Sequence, residues 1–118
     1  MDERWVSGLL ATIDNKNAEA FTGFLTADAC FYFGNASPVV GRESIGEAVA
    51  AFFDAIRALA HNRGEHWSLP GTEIVTGEVC YTRLDGSTLT VPFCNLLTMR
   101  GDLIRDYRVY VDNSQLWT

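Results

Sequence analysis

The sequence predicts an α+β fold in which a strongly curved sheet, mixed or antiparallel, wraps around one long amphipathic helix. Three observations predict it. Helical periodicity is confined to the first half of the chain and strand-like runs to the second, which argues against alternating βαβ units. Ile45, Ala48, Val49, Phe52, Phe53, Ile56, Leu59 and Ala60 recur at helical spacing and mark one face only, so that helix lies across a sheet. The second half holds four long runs separated by Pro70-Gly71, Asp85-Gly86 and Gly101-Asp102, all turn-forming pairs.

The elements follow in order. Val6, Leu9, Leu10 and Ile13 predict a first helix over residues 3–14. Asn17 caps a short second helix with Glu19 in its first turn, and Ala18, Phe21, Phe24 and Leu25 form its buried face. Residues 29–33, Ala-Cys-Phe-Tyr-Phe, form an aromatic strand ended by Gly34-Asn35, and residues 38–41 a brief extended piece. The long helix is expected over residues 42–60. Four strands follow at residues 61–69, 73–84, 88–99 and 103–112, with a bulge near Gly77 because the second of them does not sort cleanly into two faces.

The chain of 118 residues is expected to be one domain, 1–118, able to build a core without metal or disulfide. With 47% hydrophobic residues it is not disordered, and no apolar run reaches the length of a membrane span. A net charge of −6 disfavours nucleic acid and anionic membranes as partners. The charged start, Met-Asp-Glu-Arg, is unlike a signal peptide, and Cys30, Cys80 and Cys94 lack C-x-x-C spacing. The expectation is a cytoplasmic protein with three buried free thiols. Nucleotide loops, nucleophile elbows and metal-ligand spacings are missing, so neither cofactor nor metal is expected.

Strand parity selects candidate site residues. Leu89, Val91, Phe93, Asn95, Leu97 and Met99 share a face of the third long strand, apolar except at Asn95. Leu103, Arg105, Tyr107, Val109 and Val111 share a face of the fourth, with Ile104, Asp106, Arg108 and Tyr110 opposite. Asn95 and Tyr107 thus stand in an apolar wall. Either they bond each other, the backbone or a water, or they point at a ligand. His61 and His66 are five apart, which in an unbroken strand gives them opposite faces. The end of the preceding helix places His61 inside and His66 outside. Phe31, Phe33, Phe53, Ile56, Trp67, Phe93 and Val109 are the expected pocket walls.

Leu25-Thr26-Ala27-Asp28-Ala29-Cys30-Phe31 resembles the L-x-x-D-A-x-F step into the first strand of nuclear transport factor 2-like proteins. Val40-Gly41-Arg42-Glu43-Ser44-Ile45 resembles their G-R-E-x-I helix start, and Ile104-x-x-x-Arg108-x-Tyr110-x-Asp112 their closing strand. The likeness spans about residues 5–115 and is nearest the polyketide-cyclase-like (SnoaL-like) branch. It implies a cone, the cystatin-like α+β barrel, closed by helices around a pocket. It also implies relatives that act on small apolar molecules: cyclases, isomerases, epoxide hydrolases and dehydratases. The epoxide-hydrolase pattern is broken here. Val109 stands where those relatives carry the Asp of the closing strand, and Phe31 and Phe33 stand where they carry Tyr-x-Asn. Arg83-Leu84-Asp85 echoes their Arg-x-Asp pair, but Asp85-Gly86 reads as a hairpin turn. A register matching Arg105-Asp106-Tyr107 would restore a carboxylate, but parity sets Asp106 on the outer face.

Three readings of function follow. One is a cofactor-independent cyclase, isomerase or hydrolase with His61 as acid/base and Asn95 and Tyr107 orienting a carbonyl or hydroxyl. The second is a non-catalytic module that binds a small apolar molecule, and the third a dimerisation domain with a filled pocket. A homodimer is expected, because Cys94, Leu96, Arg108 and Tyr110 give the outer face an apolar and aromatic character. A pocket of roughly 300 Å3 or more would favour a ligand.

Overall fold

The structure, a computed structural model, describes residues 1–117. Its elements are α1 (Glu3–Asp14), α2 (Ala18–Thr22), β1 (Leu25–Phe33), β2 (Val39–Val40), α3 (Arg42–Asp54), β3 (Ala58–Leu69), β4 (Thr72–Thr82), β5 (Thr88–Arg100), β6 (Leu103–Val111) and a 3-10 turn at Ser114–Trp117. Asp2 caps α1 through a bond from the Trp5 amide, and Asn17 caps α2 through a bond from Ala20. The six strands run in the order β2-β1-β6-β5-β4-β3. Neighbours are antiparallel except β1 and β6, which are parallel, so the sheet is mixed. The helices pack on its concave face around a core that includes Val6, Leu9, Phe21, Ile45, Val49 and Phe53.

The long helix is shorter than its apolar spacing predicts. It ends at Asp54, and residues 58–60 belong to β3, where Leu59 pairs with Tyr81. Ile56 and Leu59 are still buried, at the turn and in the strand, so the apolar repeat outlasts the helix. Lys16 holds the turn by donating from Nζ to the Ile56 and Arg57 carbonyls at 3.0 and 3.2 Å. Leu25 opens β1 rather than extending the face of α2. Asp85-Gly86 is a hairpin turn: the Arg83 amide donates to the Ser87 carbonyl at 2.8 Å, and Gly86 takes φ 89°. The three cysteines are free, but half-buried rather than buried.

Two bulges revise the faces. Between Arg63 and His66, β3 carries one residue more than the opposing stretch from Gly77 to Val75. Gly77 is where it must be. A Cβ there would lie 2.3 Å from the Asn62 carbonyl oxygen, which no side chain tolerates. Across the bulge, His61 pairs with Val79 and His66 with Val75, two buried residues on one face of β4. Both histidines therefore face inward, contrary to the opposite faces expected of an unbroken strand, and Trp67 turns out to 47% exposure. A second shift, between Thr98 and Met99, buries Ile104 and turns Leu103 outward, the reverse of the expected parity.

His66 does not reach the cavity described below. Its Nε2 lies 2.9 Å from Glu73 and its Nδ1 3.2 Å from Glu3, under the start of α1. Glu73 is 3% exposed and also accepts from Ser68 Oγ at 2.8 Å, with the Met1 ammonium at 3.3 Å. Burial opposes its ionisation, but these donors outweigh it and hold the carboxyl below its usual value of 4.5. A carboxyl lowered on folding contributes stability above its unfolded pKa and loses it as pH falls through the folded one. Stability should therefore decline as pH drops below about 4.5. Glu73→Gln should lose about 1–3 kcal/mol near neutral pH and show a flatter acid limb in denaturant titrations.

Candidate functional site

The concave sheet is broader than the face α3 presents, and the space left between them is a cavity of about 160 Å3. Its mouth is at the turn after β1, where Ala36 and Ser37 are exposed. Phe31 and Phe33 of β1, Phe52 and Phe53 of α3, and Phe93 of β5 supply the aromatic wall. The rings brace one another edge to face: Phe33 and Phe52 at 5.1 Å between centroids, Phe31 and Tyr107 at 5.4 Å. The volume is about half the expected threshold, yet the pocket is not filled by its aromatic side chains.

All three expected polar residues, His61, Asn95 and Tyr107, line this cavity. Of the expected walls, Phe31, Phe33, Phe53, Phe93 and Val109 line it as well. Ile56 and Trp67 do not. Ile56 is buried in the turn after α3 because the helix stops at Asp54, and the β3 bulge sends Trp67 outward.

Asn95 is 2% exposed and Tyr107 1%, and among the described residues neither the Asn95 Oδ1 nor the Tyr107 hydroxyl has a hydrogen-bond partner. Asn95 sits opposite Val109 and Tyr107 opposite Leu97, which makes the two residues diagonal neighbours on adjacent strands. They do not satisfy each other. Burial also raises the phenol of Tyr107 well above its usual 10, so it stands in the cavity as a neutral hydroxyl.

His61 carries the constellation further. Its Nδ1 lies 2.5 Å from Asp14 Oδ1, and its backbone amide donates to Asp14 Oδ2 at 3.1 Å. Its ring meets Phe93 edge to face at 5.2 Å. Asp14 thereby fixes both the strand and the ring orientation. Sequence reasoning missed Asp14, but a signal existed. Asp14 is the last residue of α1, a helix with no basic residue in its last turn. A carboxylate at that end opposes the helix dipole, so its presence there called for a partner.

The carboxylate sought on the closing strand is not in the cavity. Asp106 pairs with Arg105 Nη1 at 2.8 Å, outside it, and Val109 forms part of the wall. Among the described residues no Asp, Glu, Lys or Arg lines the cavity, and none form a cluster of three metal-ligating side chains.

A curved mixed sheet closed by helices over such a cavity defines an α+β cone. Residues 6–107 match the SnoaL-like domain family, and the chain belongs to it. Solved structures agree in fold. A hypothetical protein of Catenulispora acidiphila with a ketosteroid isomerase-like fold, in complex with trimethylamine, superposes with a TM-score of 0.87 at 18% identity, covering 97% of this chain and 89% of that one. A putative SnoaL-like polyketide cyclase from Jannaschia sp. gives 0.79 at 16% identity, covering 98% and 90%. An LEH-like epoxide hydrolase of M. tuberculosis gives 0.81 at 11% identity, covering 97% and 84%. Among curated proteins none matches the chain.

A buried polar atom without a partner costs about 1–3 kcal/mol. Tyr107→Phe and Asn95→Leu should therefore leave stability unchanged or raise it by about 1 kcal/mol, a few degrees in melting temperature for a domain of this size. A loss of more than about 2 kcal/mol in either variant would show that bound water satisfies these groups in solution.

Proposed function

We propose that the chain binds a small, mostly apolar molecule in the cone and moves a proton on it with its own side chains, in the manner of a cyclase, isomerase or hydrolase. The observation that carries this reading is the pair of unpartnered polar atoms, Asn95 Oδ1 and Tyr107 OH, sharing an apolar cavity with a histidine oriented by a carboxylate. A chain that leaves such groups unsatisfied at a stability cost has a use for them.

The roles follow from the chemistry. With Nδ1 on Asp14, His61 offers Nε2 to the ligand as the acid/base nitrogen. Asp14 is a positioning residue that fixes the tautomer and stabilises the imidazolium when His61 takes a proton. Tyr107 donates to an oxygen on which charge develops, and Asn95 orients the same group or its neighbour. Membership of the SnoaL-like family and the likeness to a putative polyketide cyclase support this class of chemistry.

A screen of lactones, epoxides and enones supplies the assay. Against the substrate it finds, His61→Ala should lower turnover by about 10²–10⁴-fold. Asp14→Asn should lower kcat and shift its pH profile while leaving KM nearly unchanged. Binding without turnover across the screen, equally in wild type and His61→Ala, would leave the chain a ligand-binding module.

We further propose that two copies pair through the outer face of the sheet. Trp67, Ile74, Leu96, Arg108 and Tyr32 form one register row across five strands, with Arg108 stacked 3.9 Å over the Tyr32 ring. Light scattering should give a dimer that Leu96→Glu converts to monomer; a monomeric wild-type chain would remove this proposal.

A further inference from the structure

We infer that the occupant of the cavity is a neutral, single-ring molecule with an oxygen function that both donates and accepts hydrogen bonds, and that the Phe33–Phe52 pair sets the size limit. This rests on the reading of the cavity as a ligand site and narrows it to a class.

Size comes first. The cavity holds about 160 Å3. A buried apolar cavity of about 150 Å3 takes up benzene, so one ring fills the space inside the walls and a second fused ring has no room there. The boundary is identifiable. Phe33 and Phe52, 5.1 Å apart, line both this cavity and a second groove of about 280 Å3. That groove also contains Asn35, Asn113 and Trp117. With Ala36, which also lines both, the two rings form the partition between the spaces, and Trp117 packs edge to face on Phe52 from the groove side at 6.1 Å. Removing one ring of the partition joins the spaces.

Charge comes second. Among the described residues the lining contains no Asp, Glu, Lys or Arg, and Asp14 is already engaged with the His61 ring. An anion would shed its hydration without a dedicated cation to meet it, and a cation would find no free carboxylate in the wall. The cavity is selective for neutral species.

Polar matching comes third. Tyr107 OH can donate to or accept from a ligand oxygen, and the Asn95 amide oxygen needs a donor. Their diagonal placement sets both at one patch of wall, so a single hydroxyl or a vicinal pair on one edge of the ring engages both. The rest of the wall is mainly Phe and aliphatic side chains, with Ser37 at the mouth and Tyr81 and His61 as its other polar members. A bare hydrocarbon of the same size would leave both groups unpartnered, and would bind more weakly.

Four probes test the class on the intact chain at pH 7 by calorimetry or ligand-observed NMR: phenol, benzene, benzoate and 2-naphthol. Phenol should bind, benzene at least about tenfold more weakly, corresponding to one good hydrogen bond. Benzoate and 2-naphthol should not bind. The double variant Asn95→Leu/Tyr107→Phe should lose the preference for phenol over benzene, and Phe33→Ala should gain 2-naphthol. Benzoate or 2-naphthol binding wild type as tightly as phenol would overturn the class while leaving the cavity a ligand site. A Phe33→Ala chain that folds, by its circular dichroism, yet still excludes 2-naphthol would remove the partition from the proposal. If none of the four binds wild type or either variant at millimolar concentration, the ligand-site reading falls with it.

Discussion

One surplus residue in β3, tolerated because Gly77 has no side chain, is the constraint on which the rest of the structure depends. The Asn62 carbonyl, the Gly64 amide and the Arg63 Cα all crowd the position a Cβ would take at Gly77. A bulge bends its strand and increases its twist, and β3 runs the full length of the cone's outer edge. Before the bulge, β3 presents Leu59 and His61 to the cavity. After it, the same inner face presents His66, which closes on Glu73 and Glu3 beneath α1. Without the extra residue, Trp67 and Leu69 would point inward and His66 outward, and the contacts of His66 with Glu3 and Glu73 would be lost.

The cavity exists because its walls support one another instead of collapsing. A helix of thirteen residues cannot cover a concave face built from strands of up to thirteen. Flexible aliphatic side chains would sag into the gap, as cores do when they can relax. Here the gap is ringed by aromatics in contact, Phe21 with Phe31, Phe33 with Phe52 and Phe52 with Tyr81 edge to face, and Phe21 with Tyr107 tilted. Each ring's tilt is set by its neighbour, and the void is retained along with two unsatisfied polar atoms. Among the described residues the buried polar atoms left without a partner, Asn95 Oδ1 and Tyr107 OH, lie together in this wall, where a ligand would complete them.

Legibility in the sequence tracked the bulges. β4 and β5 pair without interruption from Thr72–Thr98 to Thr82–Thr88, and the inward set on β5, Phe93, Asn95 and Leu97, is the set that parity selects. On β6 the shift beside Met99 exchanges Leu103 for Ile104, and on β3 the shift beside Gly77 exchanges Trp67 for His66. Gly77 announced an irregularity, but a glycine on one strand does not tell which partner carries the extra residue. The end of α3 was illegible for a different reason. Ile56 and Leu59 remain buried after the helix has stopped, so the apolar repeat continues across a turn that has no Gly or Pro.

The end of α1 signalled that Asp14 needs a partner, but not which one, because His61 is 47 residues away. The position of Asp14 also explains the chemistry of the wall. A carboxylate at residue 109 would stand beside Asn95 in the cavity itself, since Asn95 and Val109 are register partners. Buried among phenylalanines without a cation, it would be expensive to ionise and would repel an anionic transition state. Asp14 instead reaches His61 from the end of α1, is not among the residues lining the cavity, and keeps 30% of its own side chain in water. The anion orients and steadies the imidazole while the cavity surface stays free of formal charge. On the proposed reading, a carboxylate acting from behind His61 would serve an acid/base group in a wall that itself holds no Asp, Glu, Lys or Arg among the described residues. The aromatic residues at 31 and 33 are then compatible with proton transfer rather than evidence against it.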